Sequence, residues 1–141
     1  MDGHHVDWPV LRVALRAKAM DHFMLVTDAM PTVGSARKSF RLNGQLIHVE
    51  NGVCVGEDGT LAGSDLDMAT AVRNCVQHIG GSLSDAAMMA ATAPAAFLGL
   101  AAARGSLSVG KRADVVWLDT ALNIQGTWIG ARQDAHLSLT A

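Results

Sequence analysis

Phe23-Met24-Leu25-Val26 is the segment that most narrows what this chain can fold into. It is a continuous apolar run, the pattern of a strand covered on both faces, as parallel strands are when helices pack on each side. The run leads through Thr27 to Asp28, followed at once by Ala29-Met30-Pro31. A carboxylate at the mouth of a buried strand is a position where α/β enzymes place acid/base chemistry. In isolation, an Asp after a strand is more often a turn former or helix cap, because its side chain accepts from nearby backbone N–H groups.

The surrounding elements alternate in type. Apolar residues at Val10, Leu11, Ala14, Leu15 and Ala17 predict a helix from Trp8 to about Met20, with Pro9 suited to its first turn. After the buried run, Phe40 to Val49 holds an Asn43-Gly44 pair, and Asn51-Gly52 and Asp58-Gly59 offer further turns, which together predict a small antiparallel excursion. Ala69, Val72, Val76 and Ile79 form one helical face that Gly80-Gly81 should stop. Ser82 with Asp85 resembles a capping box opening a helix that Pro94 should end or restart, before a stop at Gly99. Ala113 to Leu118 and Leu122 to Trp128 read as strands joined at Asp119-Thr120.

Charge and cysteine usage limit the partners. The net charge is −2 and the 11 Lys and Arg form no basic stripe, so neither nucleic acid nor an anionic membrane surface is suggested. No apolar run approaches the ~18 residues that span a bilayer. Cys54 and Cys75 stand in no metal spacing and follow no secretory leader, which points to reduced, buried thiols and a cytoplasmic setting. At 141 residues, with half of them apolar, the chain can bury a core. It offers too few parallel strands for a closed α/β domain, and a (β/α)₈ barrel takes ~250 residues. The chain therefore reads as the back end of something larger.

Five segments then match one family in order: Asp2-Gly3-His4-His5-Val6-Asp7, Leu25-Val26-Thr27-Asp28-Ala29-Met30, Asn51-Gly52-Val53-Cys54, Gly59-Thr60-Leu61-Ala62-Gly63-Ser64 and Ala71-Val72-Arg73-Asn74. Together they resemble the C-terminal portion of N-acetylglucosamine-6-phosphate deacetylases. Thr92-Ala93-Pro94-Ala95, Leu98-Gly99-Leu100 and the stretch from Gly105 to Val116 resemble the ending common to many amidohydrolases. The resemblance implies an α/β fold: the last strands and helices of an incomplete TIM barrel over residues 1–104, and C-terminal strands of a small β-sandwich over 105–141.

The same resemblance implies roles. Asp28 would end the eighth barrel strand and pass a proton from the attacking water to the leaving amine, which needs one carboxylate able to serve as base and then acid. Asp2, Gly3, His4 and His5 would form a substrate loop after the seventh strand, with His5 meeting the sugar phosphate, in dimeric members across the subunit boundary. Leu61, Ala62 and Gly63 would form a third substrate loop, with Ser64 or Asp65 capping the next helix. The family holds a divalent metal, zinc or iron, on a Glu and two His of earlier strands, and this chain supplies none of those ligands. Adjacent His4 and His5 would face opposite sides of a strand and do not chelate one ion. Between His5 and Asp28 the chain is one residue longer than the family pattern, near Asp21-His22. His22, His48, His78 and His136 read as surface or packed residues, Met88-Met89 as core, and Trp117 and Trp128 as sandwich packing.

The implied substrate is an amino-sugar phosphate, and the implied parent a homodimer. The alternatives are an inactive fragment or packing module, and another amidohydrolase of the dihydroorotase or dipeptidase kind, because the tail motif is shared. A strand cut from its barrel neighbours exposes apolar surface and an unpaired edge, so the free chain is expected to associate or aggregate.

Overall fold

The computed structural model describes residues 1–134. His136 and the end of the terminal segment lie outside the described residues. Helix α1 spans Trp8–Ala17 with Pro9 in its first turn, and Leu15 is its buried residue. Strands β1 (Ser39–Leu42), β2 (Gln45–Glu50), β3 (Val53–Gly56) and β4 (Leu61–Ser64) form an antiparallel meander in sequence order. Its first two turns follow from their residues: Asn43-Gly44 and Asn51-Gly52 all take positive φ, between 50° and 84°, which the tight hairpin turn requires and Asn and Gly tolerate. Ile47 of β2 and Val53, Cys54 and Val55 of β3 are all buried, so β3 is covered on both faces.

Helix α2 (Met68–Asn74) starts at Asp67, whose carboxylate accepts from Thr70 N. Asp67 is therefore the cap, in place of the Ser64 or Asp65 expected from sequence. The helix runs on as a π turn, Cys75–Ile79, and ends where Gly80 takes φ 80°. Ser82 and Asp85 form the expected reciprocal capping box at the start of α3 (Leu83–Ala87), followed by a π turn, Met88–Thr92, and α4 (Ala93–Phe97). Leu15, Leu25, Val72, Cys75, Ala86 and Met89 make the main core, with Phe23 and Ile79 packed against it. Both cysteines are free and buried, and burial, followed by the charge of Asp85, pushes the Cys75 thiol up from its ordinary value. Strands β5 (Val115–Leu118), β6 (Ile124–Ile129) and β7 (Arg132–Gln133) form a second antiparallel sheet.

One expectation is corrected. Residues 23–26 are extended but belong to neither sheet; Leu25 is buried while Met24 and Val26 are exposed, at 40% and 67%. A strand needs a ladder of hydrogen bonds to at least one neighbour, and here the described bonds are few. Leu25 N donates to Met89 O (3.0 Å), Met1 N to Val26 O (3.2 Å), and Ala29 bridges Ser64 in parallel. The Met89 carbonyl is available because the residue five positions on, Pro94 in α4, has no N–H to donate to it. Trp117, expected to pack a sandwich, is 59% exposed among the described residues.

Candidate active site

Asp28 sits where the extended segment turns. Its φ is 54°, a left-handed conformation that costs a side-chain-bearing residue energy and persists only where surrounding bonds enforce it. Those bonds come from the end of β4. Ser64 N donates to Asp28 O (2.9 Å), Met30 N donates to Ser64 O (2.9 Å), and the Ser64 hydroxyl donates to Thr27 O. Ser64 is fully buried and its hydroxyl oxygen also accepts from Leu66 N (3.1 Å). The Asp28 side chain is exposed and, among the described residues, makes no hydrogen bond. A turn-forming or capping Asp would use its carboxylate on backbone N–H groups; this one leaves it available.

Gly63 allows that approach. A Cβ built on it would lie 2.5 Å from Met30 Cε and 3.1 Å from Asp28 O, at a φ of +109°. Leu61, Ala62 and Gly63, expected as a substrate loop, lie in strand β4, and Gly63 is packed closely against the Met30 side chain and the Asp28 carbonyl.

Asp2 and His5 form a compact turn. Asp2 Oδ1 accepts from the backbone N–H of His4 (3.1 Å) and His5 (3.2 Å), and Oδ2 lies 2.6 Å from His5 Nδ1. Partial burial pushes the Asp2 carboxyl up, but the His5 ring bond, the two backbone N–H bonds and the His5 charge outweigh it and hold the group below its ordinary value. An ionised carboxylate only accepts, so Nδ1 carries a proton and Nε2 is the ring atom left for a ligand. The turn is closed by Gly3 at φ +78°, over which the Trp8 indole lies so closely that a Cβ would meet it at 2.4 Å. Trp8 in turn stacks on His78, with ring centroids 4.7 Å apart.

Asp2, His5 and Asp28 line one cavity of about 280 Å³, walled on its apolar side by Val6, Leu11, Met24 and Val26. Of the residues expected from sequence, His4, Gly3 and Leu61 to Gly63 do not line it. Two residues not given a site role from sequence hold its walls: Ser64, which fixes Asp28, and Asn74, whose Nδ2 donates to Met1 O (3.1 Å) beside Asp2. Each lies inside a recognised motif, and Ser64 was expected there only as a helix cap. Among the described residues no group of three or more His, Cys, Asp or Glu comes together to hold a metal ion, so the side chains present do not fit the metal that the resemblance implies.

Asp28, exposed and without a side-chain hydrogen bond among the described residues, thus opens onto a cavity on a chain of mixed helices and small antiparallel sheets. The amidohydrolase family pattern matches residues 5–140, and the chain belongs to the amidohydrolase family. A putative N-acetylgalactosamine-6-phosphate deacetylase of Escherichia coli (strain K12) is 40% identical over 91% of this chain and 76% of its own length. The N-acetylgalactosamine-6-phosphate deacetylase of Escherichia coli O157:H7 is 40% identical over 91% of this chain, which spans only 34% of that protein. The crystal structure of N-acetylglucosamine-6-phosphate deacetylase from Pasteurella multocida superposes with a TM-score of 0.90 at 32% identity, covering 94% of this chain and 35% of that one. No helix among the described residues is long and apolar enough to cross a membrane.

Proposed function

We propose that this chain supplies one side of the active site of an amino-sugar-6-phosphate deacetylase, which hydrolyses N-acetylglucosamine 6-phosphate to glucosamine 6-phosphate and acetate. The observation that carries this reading is the shared cavity: a carboxylate with no internal hydrogen bond, Asp28, facing the same space as an Asp-oriented histidine, His5. In the reaction, Asp28 takes a proton from the water that adds to the acetyl carbonyl and returns it to the amine nitrogen as the C–N bond breaks. His5 holds the phosphate end through Nε2, and Asp2 keeps the ring in that orientation. His4 and Leu61 to Gly63 are placed at the margin of the sugar. The ligands of the divalent metal that the family implies lie outside this chain. By this reading residues 1–104 belong to the barrel and residues from 105 onward to the small sandwich, and the assembled enzyme is a cytoplasmic homodimer.

The two Escherichia coli relatives favour a second substrate, N-acetylgalactosamine 6-phosphate, which differs at one sugar hydroxyl and presents the same amide and phosphate. The test is a chimaera in which this chain replaces the matching segment of the Pasteurella multocida deacetylase, assayed for acetate release from both sugar phosphates. Deacetylation of either, lost in Asp28→Asn, supports the reading; hydrolysis of cyclic ureides or dipeptides alone overturns it.

A further inference from the structure

The Ala71-Val72-Arg73-Asn74 motif has no part in the chemistry described so far, yet its last residue reaches the cavity's wall. We infer that Asn74 is a positioning residue for the Asp2–His5 turn, an inference that rests on the proposed role of His5 at the phosphate. Three observations carry it.

First, Asn74 Nδ2 donates to Met1 O at 3.1 Å, a contact spanning 73 residues of sequence. Met1 is the residue immediately before Asp2, and its nitrogen donates to Val26 O on the other side. The chain entering the turn is thus held from both flanks, by the extended segment that leads to Asp28 and by α2. Second, α2 is a firm platform. Asp67 caps its start, and Arg73 donates to Thr70 Oγ1 (2.6 Å) and to Leu122 O (2.9 Å), which fastens its end to the turn between β5 and β6. Third, the turn itself depends on where it starts. Asp2 must accept from two backbone N–H groups and one ring N–H at once, so a small shift of Met1 breaks several bonds together. Losing Asn74 releases the Met1 carbonyl and lets the turn sample orientations in which His5 no longer meets the phosphate. Asp28, held independently by Ser64, keeps its place.

The expected signature is a rise in KM without a matching fall in kcat. In the Pasteurella multocida chimaera, Asn74→Ala should raise KM for the sugar phosphate about tenfold, the loss of one hydrogen bond, with kcat within roughly twofold. Inhibition by inorganic phosphate should weaken by a similar factor. Asn74→Asp, which replaces the donor by an acceptor facing a carbonyl, should behave as badly, and Asn74→Gln should rescue in part. A fall in kcat with KM and phosphate inhibition unchanged would overturn the inference. Amide hydrogen exchange of His4 and His5 in the unaltered chain and in Asn74→Ala gives a readout independent of activity. Faster exchange at both N–H groups in the variant supports the role, and unchanged exchange overturns it. A parent chimaera with no deacetylase activity would count against the proposed function, while the exchange measurement would still decide the case for Asn74.

Discussion

Ser64 donates its backbone N–H to the carbonyl of Asp28 at 2.9 Å and its hydroxyl to the carbonyl of Thr27, so the last residue of β4 holds the turn that presents the catalytic candidate. This relationship explains why a Leu-Ala-Gly-Ser strand accompanies a Thr-Asp-Ala-Met turn. The strand end supplies the donors, and the glycine before it provides the clearance.

Gly63 tests that relationship. Gly63→Ala puts a methyl group against Met30 and the Asp28 carbonyl at a backbone conformation alanine resists, and should destabilise the fold by about 1–3 kcal/mol. Urea unfolding of the chimaera reads the loss, and kcat should fall more than KM rises because Asp28 is displaced.

Asp28 itself should be dispensable for folding. Its side chain is exposed and makes no bond among the described residues. Asp28→Asn should therefore leave the unfolding midpoint unchanged while lowering kcat about 10²–10⁴-fold, the usual contribution of a positioned acid/base group. A large loss of stability would assign Asp28 to the turn instead of the reaction.

Acid should act on the carboxylates that the fold holds low. The folded protein holds Asp2, Asp58, Asp67, Asp85 and Asp119 below the ordinary value of 3.8; at Asp67 burial pushes the group up, but the Thr70 hydroxyl and N–H and the Arg73 charge outweigh it. A depressed carboxylate stabilises the fold fully above its unfolded value, and that contribution disappears as pH falls through the lower folded value. Asp67→Asn should thus flatten the loss of stability below pH 3.8, read as helical circular dichroism against pH, with the difference from the parent shrinking toward the acid end.

Arg73 joins the two parts of the molecule. Arg73→Ala removes the bonds to Leu122 O and Thr70 Oγ1 and should cost about 1–2 kcal/mol. Limited proteolysis should then cut sooner between β5 and β6, where the anchored turn lies.

Exposed apolar groups should make the free chain associate. Val26, Phe97, Leu98, Leu107 and Trp117 are all more than half exposed. Light scattering should show a mass that rises with concentration, and a dispersed monomer would mean that these surfaces need no cover.

The parts legible in the sequence are those whose cause is local. Asn43-Gly44 and Asn51-Gly52 specify their turns, Ser82 and Asp85 specify a helix start, and Gly80 specifies a stop, each within a few residues. The continuous run from Phe23 to Val26 announced an extended segment correctly, but whether it pairs as a strand depends on neighbours distant in the chain. The site divides in the same way. Asp2 and His5 meet within one turn, whereas Asn74 reaches Met1, and Ser64 reaches Thr27, across 73 and 37 residues. Such contacts leave no periodicity to read; the motif resemblance marked those residues, and Ser64 was expected only as a helix cap. Leu61 to Gly63 show the converse: the motif was recognised, but its place as strand β4 depends on pairing with β3.

The most direct measurement is acetate release from N-acetylglucosamine 6-phosphate and N-acetylgalactosamine 6-phosphate by the Pasteurella multocida chimaera, with and without Asp28→Asn. Release from at least one sugar phosphate, abolished by the substitution in a protein that remains folded, is the expected result. An active chimaera in which Asp28→Asn turns over at the parent rate would contradict the assignment of Asp28 as the proton shuttle.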